Sequence, residues 1–123
     1  MNSPKRFIIV EDSHVTRLHL ESLLCTQGYT VVSKLDRAED LHSAVKEHQP
    51  DLILLDIMLK GTMNGIEAAK CLRANDIHTP IVFMTALTDQ KSTEDIAELC
   101  NCQRVPKPFE EKLLLSTIEQ AVA

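Results

Sequence analysis

Short apolar runs and helical stripes alternate along this chain. Phe7-Ile8-Ile9-Val10 is an unbroken apolar run, and Arg6–Glu11 reads as a strand. From Ser13 to Gln27, Val15, Leu18, Ser22 and Cys25 recur at helical spacing with Leu20, Leu23 and Leu24 beside them, and Gly28 supplies a C-terminal stop. Thr30–Lys34 predicts a second, weaker strand. Asp36 is expected to cap a helix whose buried face is Leu41, Ala44, Val45 and His48, with Pro50 ending it. Asp51–Ile57 is the strongest strand, because its Leu-Ile-Leu-Leu run lacks polar alternation and so reads as covered on both faces. A loop through Gly61 and Asn64-Gly65 leads to a helix from Ile66 to Ala74. Ile81–Thr85 is the fourth strand, and the polar segment Thr88–Asn101 holds the fourth helix, with Ser92-x-x-Asp95 as its capping box. Gln103–Pro106 is a short last strand, and Pro108 opens a final helix with Glu110 and Glu111 in its first turn, where the helix dipole favours acids.

Five strands alternating with five helices predict a single α/β domain: a doubly wound parallel sheet with helices on both faces. In such a sheet the functional groups gather at the carboxyl ends of the strands. A length of 123 residues allows one domain with a substantial core.

Composition narrows the function classes. The net charge of −5 argues against sequence-independent nucleic-acid binding, which needs Lys and Arg to displace counterions. No apolar run approaches the ~20 residues of a membrane span, and the N-terminus lacks the apolar core of a signal peptide. The expected setting is soluble and cytoplasmic. Cys25 and Cys71 fall on expected apolar helix faces, and Cys100-x-Cys102 lacks the C-x-x-C spacing of redox and zinc sites. His14 and His19 are five apart and do not stack as an i, i+4 metal pair.

The chemistry lies where polar residues follow apolar strands. Glu11 and Asp12 follow the first strand, Asp56 the third, Thr85 the fourth and Lys107 the fifth; in a parallel sheet all five meet at one edge. Like-charged carboxylates about 5 Å apart repel by roughly 3 kcal/mol at an effective dielectric near 20. An ionised trio therefore calls for a cation, and an oxygen-rich, partly open site suits Mg²⁺.

This combination resembles the receiver domains of bacterial two-component response regulators. The resemblance runs from about Lys5 to Val122 and rests on Val10-Glu11-Asp12, Leu54-Leu55-Asp56, Asn64-Gly65-Ile66-Glu67, Met84-Thr85-Ala86 and Lys107-Pro108-Phe109. It implies one receiver domain over residues 1–123, with flavodoxin-like strand order 2-1-3-4-5. By the same resemblance Asp56 is the phospho-accepting aspartate, and Glu11, Asp12, Asp56 and the backbone carbonyl of Met58 hold Mg²⁺. Thr85 and Lys107 contact the phosphoryl group, and the Lys107-Pro108 peptide is cis. The implied function is that of a stand-alone signalling phosphoacceptor, catalysing only its own Mg²⁺-dependent phosphorylation and dephosphorylation. It would take phosphate from a histidine kinase or a histidine phosphotransfer protein, in a two-component system or phosphorelay. It would then signal to a downstream protein through the fourth helix, last strand and fifth helix. No direct nucleic-acid or membrane partner is expected, and a homodimer is left open.

The chain departs from the family pattern in places. Lys60 stands where proline is usual, Asn101-Cys102 where Gly-Ala often precedes the last strand, and Arg104 where an aromatic usually responds to phosphorylation. Met58 and Leu87 are expected to rim the phosphoryl site. Arg104 is expected to stay outside and pair with acids of the fourth helix among Asp89, Glu94, Asp95 and Glu98. The competing classes are a Mg²⁺-dependent phosphohydrolase, a flavodoxin-like cofactor binder and a phosphorylation-independent adaptor. Against the first, Met58 occupies the second acidic position of Asp-x-Asp; against the second, no Gly/Ser/Thr-rich loop follows the first strand.

Overall fold

The computed structural model describes residues 3–59, 61–86 and 90–123. Lys60, Leu87 and Asp89, on which three of the expectations above fall, lie outside the described residues. The elements run β1 Arg6–Val10, α1 His14–Thr26, β2 Thr30–Leu35, a 3₁₀ turn Ala38–Asp40, α2 Leu41–His48, β3 Leu52–Asp56, α3 Gly65–Ala74, β4 Ile81–Thr85, α4 Gln90–Glu98, β5 Cys102–Pro106 and α5 Glu111–Val122. The strands form one sheet in the order β2-β1-β3-β4-β5, and all four pairings are parallel. The doubly wound α/β architecture and the strand order are as expected.

The sheet separates two apolar layers. Ile8, Val10, Ile53, Leu55, Ile81 and Phe83 face one way, against Leu41 and Val45 of α2, Ile66 and Leu72 of α3 and Ile96 of α4. Phe7, Ile9, Leu52, Leu54, Val82 and Met84 face the other way, against Leu20 and Leu24 of α1 and Leu114 and Ile118 of α5. This two-sided burial is why β1, β3 and β4 carry runs without polar alternation. The edge strands β2 and β5 are only partly covered and read correspondingly more mixed.

Several local expectations are corrected. Val15 and Leu18 face solvent at 76% and 48% exposure, and Cys25 is exposed too. The buried stripe of α1 is Leu20 and Leu24. Asp36 does not cap α2, because the 3₁₀ turn intervenes and the helix begins at Leu41. Ser92 lies inside α4, which is already helical at Gln90. The reciprocal capping box belongs to α3: Glu67 N–H donates to Asn64 Oδ1 and Asn64 N–H to Glu67 Oε1, each at 2.9 Å. The chain enters α5 at Glu111 with Glu110 as its N-cap, three residues after Pro108. Among the described residues, no helix is long and apolar enough to cross a membrane.

Candidate phosphoacceptor site

The carboxyl ends of β1, β3, β4 and β5 converge, and each delivers a polar group where its apolar run stops. At the end of β1, Glu11 continues the edge by donating its N–H to Leu35 O at 3.0 Å. Its carbonyl accepts from Arg17 Nη1 at 2.7 Å, and its Oε1 accepts from Ser13 N–H at 3.2 Å. Ser13 also caps α1 by accepting from Thr16 N–H at 3.3 Å. One serine thus starts the helix and orients the Glu11 carboxylate. Asp12, between them, is half-buried.

Asp56 ends β3 and is 3% exposed. Its Oδ1 accepts from Met58 N–H at 3.2 Å, and its Oδ2 accepts from Lys107 Nζ at 3.0 Å. Lys107 reaches it from beyond β5 and also donates to Glu11 Oε2 at 2.7 Å. The Lys107 N–H donates to Thr85 O at 2.9 Å, which ties the last strand's exit to the end of β4. Thr85 itself is buried at the end of β4, in register with Pro106. The Lys107-Pro108 peptide is cis. Met58 lies beside Asp56 with its side chain 62% exposed.

Gly65 sets the turn beneath the acid. Its N–H donates to Ile57 O at 2.9 Å, and a Cβ there would collide with the Asp56 carbonyl oxygen and stand only 3.0 Å from Ile57 Cα. The first turn of α3 can lie against the Asp56 backbone because residue 65 has no side chain.

The electrostatics follow from this packing. Glu11, Asp12 and Asp56 each offer a carboxylate oxygen within 4.8 Å of the others. Burial pushes the Glu11 carboxyl above its ordinary range and the nearby Asp56 adds to this, while Lys107 and the Ser13 N–H pull the other way. Burial opposes the charge on Lys107, but its hydrogen bonds to Glu11 and Asp56 outweigh that and hold its pKa above the ordinary lysine value. Three carboxylates against one ammonium leave an oxygen-rich site with an unmet demand for positive charge. That donor set fits a hard divalent cation.

The structure thus brings Glu11, Asp12, Asp56, Thr85, Lys107 and Met58 to one edge of the sheet. Ser13 and Arg17 were missing from the set read from sequence, and Gly65 entered it only within a motif, with no role assigned. Ser13 carried a signal, since a serine directly ahead of a helical stripe is a capping residue. Arg104 stays outside as expected, and among the described residues its side-chain partner is Thr93, with Nη1 donating to Oγ1 at 2.9 Å. Of the acids expected to pair with it, Asp95 meets Lys70 and Lys91, and Glu94 accepts from Gln90.

With this geometry in place, the chain belongs to the response regulator receiver domain family, whose family model matches residues 7–119. These are signalling phosphoacceptors of two-component systems. Among similar proteins, the transcriptional regulatory protein PdtaR of Mycobacterium tuberculosis is 29% identical over 120 residues, covering 98% of this chain and 58% of that protein. The chain therefore spans little more than half of that relative. The chemotaxis protein CheY of Bacillus subtilis is 27% identical over 117 residues, covering 95% of this chain and 97% of CheY. In three dimensions, the crystal structure of the signal receiver domain of a modulated diguanylate cyclase from Desulfovibrio desulfuricans matches with a TM-score of 0.85 at 29% identity. That match covers 97% of this chain and 94% of the other.

Proposed function

We propose that Asp56 is the phosphoacceptor of this receiver and that its phosphorylation switches the binding of a protein partner. The observation that carries this reading is a single buried carboxylate at the end of the central strand, held by the Lys107 ammonium beside two further carboxylates. An Asp56 oxygen attacks the phosphorus of a phosphohistidine on a kinase or phosphotransfer protein. The new O–P bond forms as the donor's P–N bond breaks, and the leaving imidazole takes up a proton. Phosphoryl transfer asks mainly for position and charge balance. Lys107, already on Asp56 Oδ2, supplies positive charge to the phosphoryl oxygens, and the Thr85 hydroxyl serves as a donor to one of them. Glu11, Asp12, Asp56 and the backbone carbonyl of Met58 would hold Mg²⁺, which when bound supplies the charge neutralisation that the acceptor and donor oxygens need.

The output face in this reading is α4, β5 and α5, where Arg104 links β5 to α4 through Thr93. The setting that suits such a partner network is the cytoplasm. The test of the acceptor is Asp56→Asn, which keeps the shape but removes the nucleophilic charge. Incubated with acetyl phosphate and Mg²⁺, the parent chain gains one phosphoryl group by intact mass and the variant gains none. Undiminished phosphorylation of the variant would overturn the assignment.

A further inference from the structure

The opposite end of the sheet, where β4 and β5 begin, carries a second group of reactive side chains. The turn after α3 supplies Asp76 and His78, and the turn after α4 supplies Cys100, with Cys102 two residues on. His78 Nε2 lies 2.9 Å from Asp76 Oδ1, and His78 Nδ1 lies 3.6 Å from Cys100 Sγ. Carboxylate, imidazole and thiol stand in a line. A carboxylate on Nε2 favours the proton there and leaves Nδ1 free to accept from the thiol.

The backbone around this line is fixed. Arg73 donates from Nε to Cys100 O at 3.0 Å and from Nη2 to Asn101 O at 3.3 Å, and Nη2 lies 3.6 Å from Cys102 Sγ. Asn101, at φ 58°, donates from Nδ2 to His78 O at 2.8 Å and so joins the two turns. The hydrogen bond between Cys100 and His78 lowers the thiol pKa against a smaller opposing effect of burial, and the Arg73 charge adds to the lowering. His78 is correspondingly raised, first by Asp76 and then by Cys100.

The other thiols provide internal contrasts. Cys102 is half-buried, its S–H is directed at Cys100 O at 3.4 Å, and burial raises its pKa. Cys25 is exposed like Cys100, but no hydrogen bond to its sulfur is seen among the described residues. A metal site is not preformed here. Among the described residues, the one group of three metal-ligating side chains within 4.8 Å is Glu11, Asp12 and Asp56.

We propose that Cys100 is a modification site, a thiol that His78 activates to form a mixed disulfide with small disulfides of the glutathione class. The Cys100 proton passes to His78 Nδ1, and Sγ attacks one sulfur of the disulfide. The protein–glutathione S–S bond forms as the original S–S bond breaks, and the leaving thiolate takes the proton back from His78. The protein sulfur is oxidised, the departing sulfur is reduced, and no other oxidant is required. Cys102, held in its thiol form and facing a carbonyl, leaves the mixed disulfide as the product. This inference is independent of the role proposed for Asp56.

The full chain is incubated with oxidised glutathione at neutral pH and the adducts are mapped by peptide mass under non-reducing conditions. Cys100 should react roughly three- to tenfold faster than Cys25, since extra thiolate outweighs the lower nucleophilicity of a weaker base. Its rate should also rise at lower pH than that of free cysteine, the charged and titratable groups facing it being His78, Asp76, Arg73 and Cys102. His78→Gln should bring the Cys100 rate down to that of Cys25. The proposal is overturned if Cys100 reacts no faster than Cys25 in the parent chain, where folding is not in question. It also fails if His78→Gln leaves the ratio intact, or if the main product is a Cys100–Cys102 disulfide.

Discussion

Replacing Lys107 with methionine tests whether the carboxylates it joins are ligands of a cation. The change keeps the stem and removes the ammonium that sits 2.7 Å from Glu11 and 3.0 Å from Asp56. Those carboxylates are 1% and 3% exposed, and their oxygens approach within 4.8 Å. At that separation and an effective dielectric near 20, the unopposed repulsion is about 3 kcal/mol. With an unfolding entropy of roughly 0.26 kcal/mol/K for a domain of this length, the variant should melt about 12 °C lower in Mg²⁺-free buffer near pH 8. The effect should depend on pH with a definite sign. Burial and Asp56 already raise the Glu11 carboxyl, and losing Lys107 raises it further. A folded-state carboxyl pKa above the unfolded one makes ionisation destabilising, so the deficit is absent below the unfolded value and complete above the folded one. The gap between variant and parent should therefore close as pH falls towards 4. Magnesium held by these carboxylates would relieve the same repulsion, so calorimetric titration should show the variant binding it up to about 100-fold more tightly than the parent. A lower melting temperature without tighter Mg²⁺ binding would refute the reasoning, because the destabilised carboxylates would then not be the ligands.

Two further substitutions separate backbone support from output. Gly65→Ala places a methyl against the Asp56 carbonyl and should cost about 1–3 kcal/mol, a melting loss of about 4–12 °C, together with slower acetyl-phosphate labelling. A melting temperature raised by alanine's helix preference would show that the close approach relaxes freely. Arg104→Ala removes the exposed link to Thr93 and should leave Asp56 phosphorylation and stability within about 1 kcal/mol of the parent. It should weaken capture of a downstream partner by the phosphorylated form; unchanged capture would assign Arg104 to solvent alone.

How far the chain could be read in advance depended on whether side chains or backbone did the work. β3 was legible because burial on both faces leaves no polar alternation, and the site was legible because a parallel sheet brings its carboxyl ends together. Glu11, Asp12, Asp56, Thr85 and Lys107 could be placed at one edge from their order alone. The face of α1 was not legible: leucines at 18, 20, 23 and 24 support two helical stripes, and packing on the sheet selected Leu20 and Leu24. Caps were ambiguous for a similar reason. Ser92-x-x-Asp95 and Asn64-x-x-Glu67 look alike, but only the second coincides with the point where the chain enters its helix. Gly65 and Arg17 act on backbone atoms of distant residues, and such contacts leave no periodic trace.

Arg73 has a mechanical consequence for the whole fold. Its guanidinium gathers carbonyls of Ile77 and Thr79 as well as those of Cys100 and Asn101, so one side chain from the last turn of α3 clasps the entrances to β4 and β5. Withdrawing either strand entrance costs its bonds to Arg73, so the one guanidinium couples the two entrances at the base of this half of the sheet. A lysine there would have one nitrogen in place of the three from which the guanidinium reaches these carbonyls. At the far edge Lys107 holds Glu11 and Asp56 through charge, and in the proposed reading a phosphoryl group on Asp56 would redistribute those contacts while the base stays shut.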